Sequence, residues 1–176
     1  PFLLVGGSGW TQDAVERISA FAQRFELPVG TAWRRLECFN QRHPNAAGHV
    51  GWGMTDELRN RILDADLILA VGTRLGEATT LGYTLVESPR PRQKLVHVYP
   101  DSAELGRVFM PTQAIVAGVA GFAQALESLQ PGHAVPRGAA VQEAHAQYLD
   151  SLRALDFPGP MSLDAAAEHL GRSLPD

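Results

Sequence analysis

A glycine-rich turn close to the start of the chain, Gly6-Gly7-Ser8-Gly9, is of a type that can support chemistry. Small residues between a strand and a helix let backbone N–H groups approach a phosphate at the helix N-terminus. A serine in such a turn can also be a hydrolase nucleophile, which requires the pattern G-x-S-x-G. Trp10 stands where that pattern has its last glycine, and no acid and histidine pair follows in the expected order. We therefore predict that Ser8 is a structural turn residue.

The same turn is a candidate nucleotide site. The dinucleotide-binding pattern is G-x-G-x-x-G, and the segment that starts at Gly7 has Gln12 in place of the third glycine. The requirement for small residues beside a phosphate is nevertheless met. Two interpretations therefore remain open, contact between a nucleotide and Gly6, Gly7 and Gly9, or a tight turn alone.

Two further polar residues follow predicted strands. Open α/β sheets bind ligands beyond the carboxyl ends of their strands, and Arg74 and Asp101 both lie at such positions. Arg74 could contact a phosphate and Asp101 a ribose hydroxyl, while the alternatives are a surface arginine and a helix cap. The tryptophans are predicted to pack in the core or at an interface; they are Trp10, Trp33 and Trp52.

The histidines and the cysteine form no metal-binding or nucleophile pattern. The 6 histidines show neither H-x-x-x-H nor H-E-x-x-H spacing, and no carboxylate or cysteine completes a set near His43 and His49. Cys38 is the one cysteine of the chain, which excludes an internal disulfide. We predict no metal site, no catalytic residue and an inert thiol.

Composition limits the class of protein. The chain has 176 residues, 45% of them hydrophobic, and a formal net charge of -4. The acidic balance argues against a nucleic-acid partner. No segment approaches the ~20 apolar residues of a membrane span, and no signal peptide is visible. We expect a cytoplasmic protein, and the start at Pro1 without an initiator Met suggests an excised fragment.

Strand and helix patterns alternate along residues 1–130, without a hairpin signal. The predicted strands are Phe2–Val5, Val29–Ala32, Asp66–Gly72, Leu95–Tyr99 and Gln113–Val116. Predicted helices follow Thr11 and Thr55, span Ser102–Phe109 and start after Gly118. Residues 33–54 are predicted to be a long loop, and residues 73–92 an irregular stretch with a short helix. The pattern predicts an α/β fold with a doubly wound, mainly parallel, Rossmann-like sheet of five or six strands and helices on both faces.

Residues 131–176 are predicted to be a linker followed by two helices. Pro131–Gly138 has linker composition, and Ser162–Gly171 forms the last helix. The first helix carries an apolar stripe, which we expect to be only partly covered; its residues are Val141, His145, Tyr148, Leu152 and Leu155.

Several segments together resemble a known family. They are PFLLVGGSG, ELPVGTAW, HPNAAGHVGWGM, ADLILAVGTRLGE and LVHVYPDSAELGR, in this order. Their order and spacing resemble the central domain of thiamine diphosphate (TPP)-dependent enzymes of the acetolactate synthase, benzoylformate decarboxylase and oxalyl-CoA decarboxylase group. The resemblance covers residues 1–130. The tail GPMSLDAAAEHLGRSLPD is similar to the segment that leads into the diphosphate-binding domain of these enzymes.

The resemblance implies cofactors and partners for a longer parent. In such enzymes the N-terminal pyrimidine-binding domain supplies the activating glutamate. The C-terminal diphosphate-binding domain holds thiamine diphosphate and Mg²⁺ through a G-D-G…N motif. The chain contains no Gly-Asp-Gly, so we expect this part of the parent to bind neither. The two other domains are its implied partners, and a homo-oligomer is the implied assembly of the parent.

In some relatives the central domain binds FAD or ADP. Relatives that bind FAD carry an I-D-I-D-like stretch, where this chain has Val98-Tyr99-Pro100-Asp101 and keeps only the second acid. They end the next strand in G-D, where this chain has Val116-Ala117-Gly118-Val119. Arg74 matches the arginine of their G-x-R stretch. The resemblance therefore implies a degenerate nucleotide cleft.

We therefore predict that the chain is the non-catalytic central domain of a thiamine diphosphate-dependent lyase or carboligase that acts on 2-oxo acids. Its role would be structural, and its nucleotide cleft would be degenerate. One alternative is a free-standing nicotinamide-dependent oxidoreductase, against which the missing third glycine and the missing acid at the end of the second strand argue. The other is a regulatory module that binds an adenine nucleotide.

Overall fold

The structure, a computed structural model, describes residues 1–132, 136–153 and 162–174. Its centre is a six-stranded sheet in which all paired strands are parallel. The strands are β1 (Phe2–Val5), β2 (Val29–Ala32), β3 (Ala46–Val50), β4 (Leu67–Val71), β5 (Lys94–Tyr99) and β6 (Gln113–Val116). The helices are α1 (Gln12–Arg24), α2 (Asp56–Leu63), α3 (Val119–Ala125), α4 (Gly138–Ser151) and α5 (Leu163–Ser173).

The strand order is β3-β2-β1-β4-β5-β6. The chain therefore winds from β1 to one edge of the sheet and then, starting again at β4, to the other edge. The direction reverses between β1 and β4, which is where open α/β sheets present a crevice for ligands. The predicted doubly wound, Rossmann-like α/β fold is confirmed.

Each face of the sheet has its own apolar core, because alternate side chains of a strand point to opposite faces. On one face Leu3 and Val5 pack with α1 and α3, through residues such as Ile18. On the other face Phe2 and Leu4 pack with residues of α2 and α4. The predicted helices on both faces are thus present.

Two helix starts agree with the predicted caps. The hydroxyl of Thr11 accepts a hydrogen bond from the backbone N–H of Ala14 at 3.2 Å, and that of Thr55 accepts one from Leu58 at 3.2 Å. Each satisfies one of the N–H groups that a helix N-terminus leaves without an intrahelical partner.

The prediction of a continuous loop over residues 33–54 was wrong. This segment contains a 3-10 turn, Leu36–Cys38, and the edge strand β3. The sequence of β3, AAGHV, starts with three small residues and shows neither an apolar run nor a regular alternation. Its Gly48 has a φ of 103° and the register to β2 shifts nearby. Pairing with β2 and contact with α4 hold this strand, and neither is visible in the local sequence.

Two predicted short helices were also wrong. Residues 73–92 and Ser102–Phe109 are described throughout and form turns and bends. Leu81 and Tyr83 have positive φ angles of 53° and 66° in the first segment, and Gly106 has a φ of 81° in the second. Residues in this left-handed region interrupt a right-handed helix.

The two C-terminal helices are present as predicted, and the stripe on α4 is partly covered. Val141 is buried, His145 and Tyr148 are half-buried at β3, and Leu152 is 61% exposed. Leu155 lies outside the described residues. Helix α5 has no buried residue. Within the described ranges, no helix combines the length and the apolar character needed to cross a membrane.

Candidate functional site

The glycine turn after β1 packs directly against the turn after β4. A Cβ atom on Gly7 would lie 1.7 Å from the carbonyl oxygen of Gly72, and one on Gly72 would lie 2.6 Å from the carbonyl oxygen of Gly6. Both Gly7 and Gly72 have left-handed φ angles, 74° and 73°. The close approach of two backbones therefore requires glycine here, independently of any ligand.

Several polar groups beside this turn already have partners within the chain. The indole N–H of Trp10 donates to the carbonyl oxygen of Gly6 at 2.8 Å. The N-terminus of α1 is capped by Thr11, and Asp13 brings a negative charge to its first turn. Asp13 is itself bonded to Arg17 at 2.7 Å, which lowers the pKa of the carboxyl group. A carboxylate at this position offsets the positive end of the helix dipole that would attract an anion.

A cleft of about 440 Å³ opens beside the turn at the carboxyl ends of the strands. Arg35 lines this cleft. Its Nε donates a hydrogen bond to the carbonyl oxygen of Gly7 at 2.6 Å, and its Nη1 lies 3.0 Å from a carboxylate oxygen of Glu37. Arg74 lines the cleft and is exposed. The lining residues come from the turns after β1, β2 and β4 and from the end of β5, and they include Gly7, Ser8, Trp33, Thr73, Thr79 and Tyr99.

The structure brings together two of the five predicted nucleotide-site residues at this cleft, Gly7 and Arg74. Gly6 is buried, and a Cβ there would lie 2.4 Å from the Cβ of Ala32. Gly9 is exposed, with no atom within 4 Å of its Cβ position.

Asp101, the fifth predicted site residue, caps a turn. Its Oδ1 accepts a hydrogen bond from the backbone N–H of Ala103 at 2.9 Å. This is the helix-cap type of role that the sequence left open as the alternative to a ribose contact, although the capped segment is a turn. Among the described residues that line the cleft there is no histidine that could activate Ser8.

Sequence reasoning missed Arg35 and did not place Trp33 at the cleft. Trp33 was predicted to be a packing residue, and it does contact Trp52 edge-on with ring centroids 6.0 Å apart, but it also lines the cleft. Arg35 lies three residues after β2, and β2 neighbours β1. The available signal was therefore its position at the carboxyl end of a strand next to the glycine turn.

A second cavity of about 370 Å³ adjoins the cleft and shares Arg74 and Glu77 with it. Its wall carries an ion pair between Arg107 and Glu104 at 2.8 Å, and Tyr83 lines it as well. The two cavities together form a polar surface of mixed charge along the carboxyl ends of β4 and β5.

His97 on β5 is 2% exposed and bonds the carbonyl oxygen of Thr73, a residue of the cleft wall, through Nε2 at 2.8 Å. Because a carbonyl only accepts, Nε2 carries the proton. Its Nδ1 has no hydrogen-bond partner among the described residues. Burial lowers the pKa of His97, against the opposite effects of the bond to Thr73 and of the charge on Glu104. The imidazole is therefore held in its neutral form.

Cys38 is fully buried in the core beside α1. Burial, with a smaller contribution from the charge of Glu37, raises the pKa of its thiol to about 12. A thiol in this state is not a nucleophile at neutral pH.

The described residues do not fit the cofactor of the family that the sequence resembles. They contain no group of three or more His, Cys, Asp or Glu side chains that could hold a metal ion, and the chain has no Gly-Asp-Gly motif. The Asp101 carboxylate, the candidate partner of a ribose hydroxyl, already caps Ala103, which weakens the fit to an adenine nucleotide.

Comparisons with known proteins agree on one family. The family model described as "Thiamine pyrophosphate enzyme, central domain" matches residues 1–126. A sulfoacetaldehyde acetyltransferase of Alcaligenes xylosoxydans xylosoxydans is 31% identical over 126 residues, which is 72% of this chain and 20% of that protein. A probable acetolactate synthase large subunit of Methanocaldococcus jannaschii is 29% identical over 107 residues, which is 61% of this chain and 18% of that protein.

A solved structure supports the same family. The thiamine diphosphate-dependent 4-hydroxybenzoylformate decarboxylase of Rhodococcus jostii RHA1 aligns with a TM-score of 0.54 and 25% sequence identity, over 77% of this chain and 25% of that one. The chain spans about a fifth of the length of the curated relatives it matches. Because the family model covers well over half of the residues, the chain belongs to the family of thiamine pyrophosphate enzyme central domains.

Proposed function

We propose that this chain acts as the non-catalytic central domain of a thiamine diphosphate-dependent lyase or carboligase for 2-oxo acids, as one part of a longer protein. The family supports this, since proteins that contain this domain have other domains as well. The names of the relatives, which include acetolactate synthase subunits and a decarboxylase, support the reaction class. Thiamine diphosphate and Mg²⁺ are bound by the other domains of the parent, which is a homo-oligomer.

The observation that carries the structural role is the contact between the two glycine turns. The carbonyl oxygen of Gly72 occupies the space that a side chain on Gly7 would need. The packing of the turn after β1 against the turn after β4 therefore accounts for the glycine at position 7 of the most conspicuous motif of the sequence. A phosphate is not needed to explain it.

The cleft beside these turns is degenerate as a nucleotide site in this proposal. Arg74 is exposed and available to an anion, but Asp101 caps Ala103. The N-terminus of α1 is capped by the side chain of Thr11 and has the carboxylate of Asp13 in its first turn. The Asp101 carboxylate and one backbone N–H of the α1 N-terminus are thus already used within the chain. We expect FAD, ADP and NAD to bind weakly or not at all.

Calorimetric titration of the 176-residue chain with FAD, ADP and NAD tests the degenerate cleft. The expected result is no binding with a submicromolar dissociation constant for any of the three. Submicromolar binding of FAD that is lost in Arg74→Ala would overturn the proposal. Arg59→Ala is the matched control, because it removes an exposed arginine of α2 that does not line the cleft.

Turnover assays test the non-catalytic role. Carbanion chemistry on a 2-oxo acid needs thiamine diphosphate as the electron sink, and the residues that would hold it are not in this chain. The chain with added thiamine diphosphate and Mg²⁺ should neither retain the cofactor on a desalting column nor decarboxylate pyruvate or benzoylformate. Turnover above a buffer control would contradict the proposed role.

A further inference from the structure

The two edges of the sheet are covered to different degrees. At one edge α4 packs along β3, and the imidazole of His145 bonds the carbonyl oxygen of Ala46 through Nδ1 at 2.9 Å. At the other edge β6 pairs only with β5. An uncovered edge strand presents backbone N–H and C=O groups that can pair with another chain. The edge at β6 is therefore a candidate interaction surface.

The ladder with β5 shows which backbone groups of β6 point away from the sheet. The N–H of Ala117, directly after β6, donates to the carbonyl oxygen of Tyr99 at 3.2 Å. In a parallel pair the N–H and C=O of one residue point to the same side, and this side alternates along the strand. Ile115 therefore also faces β5, whereas Ala114 and Val116 point outward. Within the described parts of the chain, no hydrogen bond to these outward groups is found.

The side chains at this edge are exposed as well. Three of the four residues of β6 are exposed, and the exposed fraction of Val116 is 60%. Ile115 packs against the core of one face, which places Ala114 and Val116 on the opposite face. The connection from β5 to β6 contains no helix that could cover them there. The branched side chain of Val116 is thus left largely in water.

Strand β6 also lacks the residues that normally protect an edge. Natural edge strands are protected by charged side chains, especially lysine, by proline or by a bulge. The sequence of β6, QAIV, has no charged residue and no proline, and its register with β5 is regular. The neighbouring residues Thr112, Ala117 and Gly118 are uncharged too. Two copies of this edge therefore do not repel each other.

The positions of the outward groups fit a second copy of the same strand. Ala114 and Val116 lie on either side of Ile115 in the sequence. An antiparallel copy in which the two Ile115 residues are opposite each other brings Ala114 beside Val116 of the other copy. In such a hydrogen-bonded pair the two residues exchange both N–H···O bonds. Every outward N–H and C=O of β6 then has a partner, in a two-fold arrangement of the kind that most homodimers have.

The side chains fit this register too. On the face without a helix, the branched side chain of each Val116 lies beside the small side chain of Ala114 of the other copy. On the other face the two Ile115 residues form the non-hydrogen-bonded pair, in which side chains approach most closely. Cross-strand pairs of β-branched residues stabilise antiparallel ladders. This match of side chains favours a second copy of the chain over an unrelated peptide.

We propose that β6 is a self-association edge, at which two copies of this chain pair through antiparallel β6 strands centred on Ile115. The contact involves four residues of each copy, far fewer than the ~20–30 residues a side of a stable interface, so the chain associates weakly and reversibly. This gives the proposed homo-oligomeric parent a specific contact surface. The inference is drawn from the edge strand alone, and the outcomes of the nucleotide and turnover assays do not affect it.

Amide hydrogen exchange followed by NMR at two concentrations of the chain tests the pairing. With a dissociation constant of about 0.2 mM, the fraction of free β6 edges falls from about 85% at ~20 µM chain to about 27% at ~1 mM. Exchange of the Ala114 and Val116 amides should therefore slow about threefold, because these are the β6 amides that point outward. The amide of Ile115, which faces β5, is the internal control and should exchange equally at both concentrations.

The average mass from small-angle X-ray scattering tests the contact with variants. The unmodified chain should be mainly monomeric at ~20 µM and mainly dimeric at ~1 mM. Val116→Lys should remain monomeric, since lysine is the side chain that protects natural edges. Gln124→Lys is the matched control, because it adds the same charge at an exposed position of α3, and it should associate as the unmodified chain does.

Two outcomes would overturn the proposal. One is exchange of the Ala114 and Val116 amides that does not depend on concentration, even if the chain associates, because the copies then meet elsewhere. The other is association of a folded Val116→Lys chain equal to that of the unmodified chain. Circular dichroism shows whether each variant is folded. If Val116→Lys is not, the exchange measurement on the unmodified chain decides.

Discussion

The contact between the glycine turns predicts different effects for two substitutions within one motif. Gly7 and Gly9 have similar left-handed φ angles, 74° and 82°. A Cβ atom on Gly7 would lie 1.7 Å from the carbonyl oxygen of Gly72, whereas one on Gly9 would meet no atom within 4 Å. Gly9→Ala is therefore a matched control that has the backbone strain of Gly7→Ala without the steric conflict.

The expected cost follows from these two contributions. A left-handed alanine costs about 1–2 kcal/mol of unfolding free energy at either position. Gly7→Ala must also displace the backbone of Gly72, whose N–H bonds Val98 of β5 at 2.9 Å, and forced insertion into a packed site costs ~1–3 kcal/mol more. The entropic gain from replacing glycine in the unfolded chain is the same for both and cancels. Gly7→Ala should thus lose about 2–5 kcal/mol and Gly9→Ala about 1–2 kcal/mol.

Urea denaturation followed by circular dichroism measures the difference. With a slope of about 2 kcal/mol per molar urea, the midpoint of Gly7→Ala should lie ~0.5–1.5 M below that of Gly9→Ala. The slopes of the two variants must agree for this comparison. If the two midpoints coincide, the backbone contact is not what requires glycine at position 7, and the structural interpretation of the motif is refuted.

Two further predictions concern buried titratable groups. Because burial lowers the pKa of His97, the unfolded chain binds more protons below about pH 6.5, so the unfolding free energy should fall as the pH is lowered from 7.5 to 5.5. His97→Gln, which keeps an N–H donor for Thr73, should reduce the slope of this dependence in urea melts; an unchanged slope would contradict the assignment. Cys38, fully buried and with a pKa raised to about 12, should react with iodoacetamide at pH 8 at least about tenfold more slowly in the native chain than in urea. Equal rates would show that this part of the core opens readily.

Long apolar runs and helix caps were the elements that local sequence could predict. The strand β4 consists of Leu67–Val71, an uninterrupted apolar run, and its position was predicted because a strand buried on both faces needs no alternation. Thr11 and Thr55 were predicted as caps because the hydroxyl acts on an N–H only three residues away. Interactions of such short range depend only on the types of neighbouring residues, so the local sequence is enough to predict them.

Strand β3 and the turn at Ser102–Phe109 could not be predicted in this way. The small residues of β3 become a strand because β2 and α4 flank them, and α4 comes almost a hundred residues later, as in the bond from His145 to Ala46. The segment around Gly106 carries a helix-like composition but a left-handed glycine in its middle. In both cases the deciding contact or backbone angle has no counterpart in the local pattern.

At the candidate site, too, some features could be predicted from the local sequence and others depend on the tertiary structure. The sequence by itself determined that Gly6-Gly7-Ser8-Gly9 joins a strand to a helix and that Arg74 follows a buried strand, because both depend on local order along the chain. Only the tertiary structure decided that Gly7 faces Gly72 and that Arg35 joins the cleft. The physical reason is that steric exclusion and hydrogen bonding act between atoms within a few ångströms. The winding of the sheet brings such atoms together from residues that lie far apart in sequence.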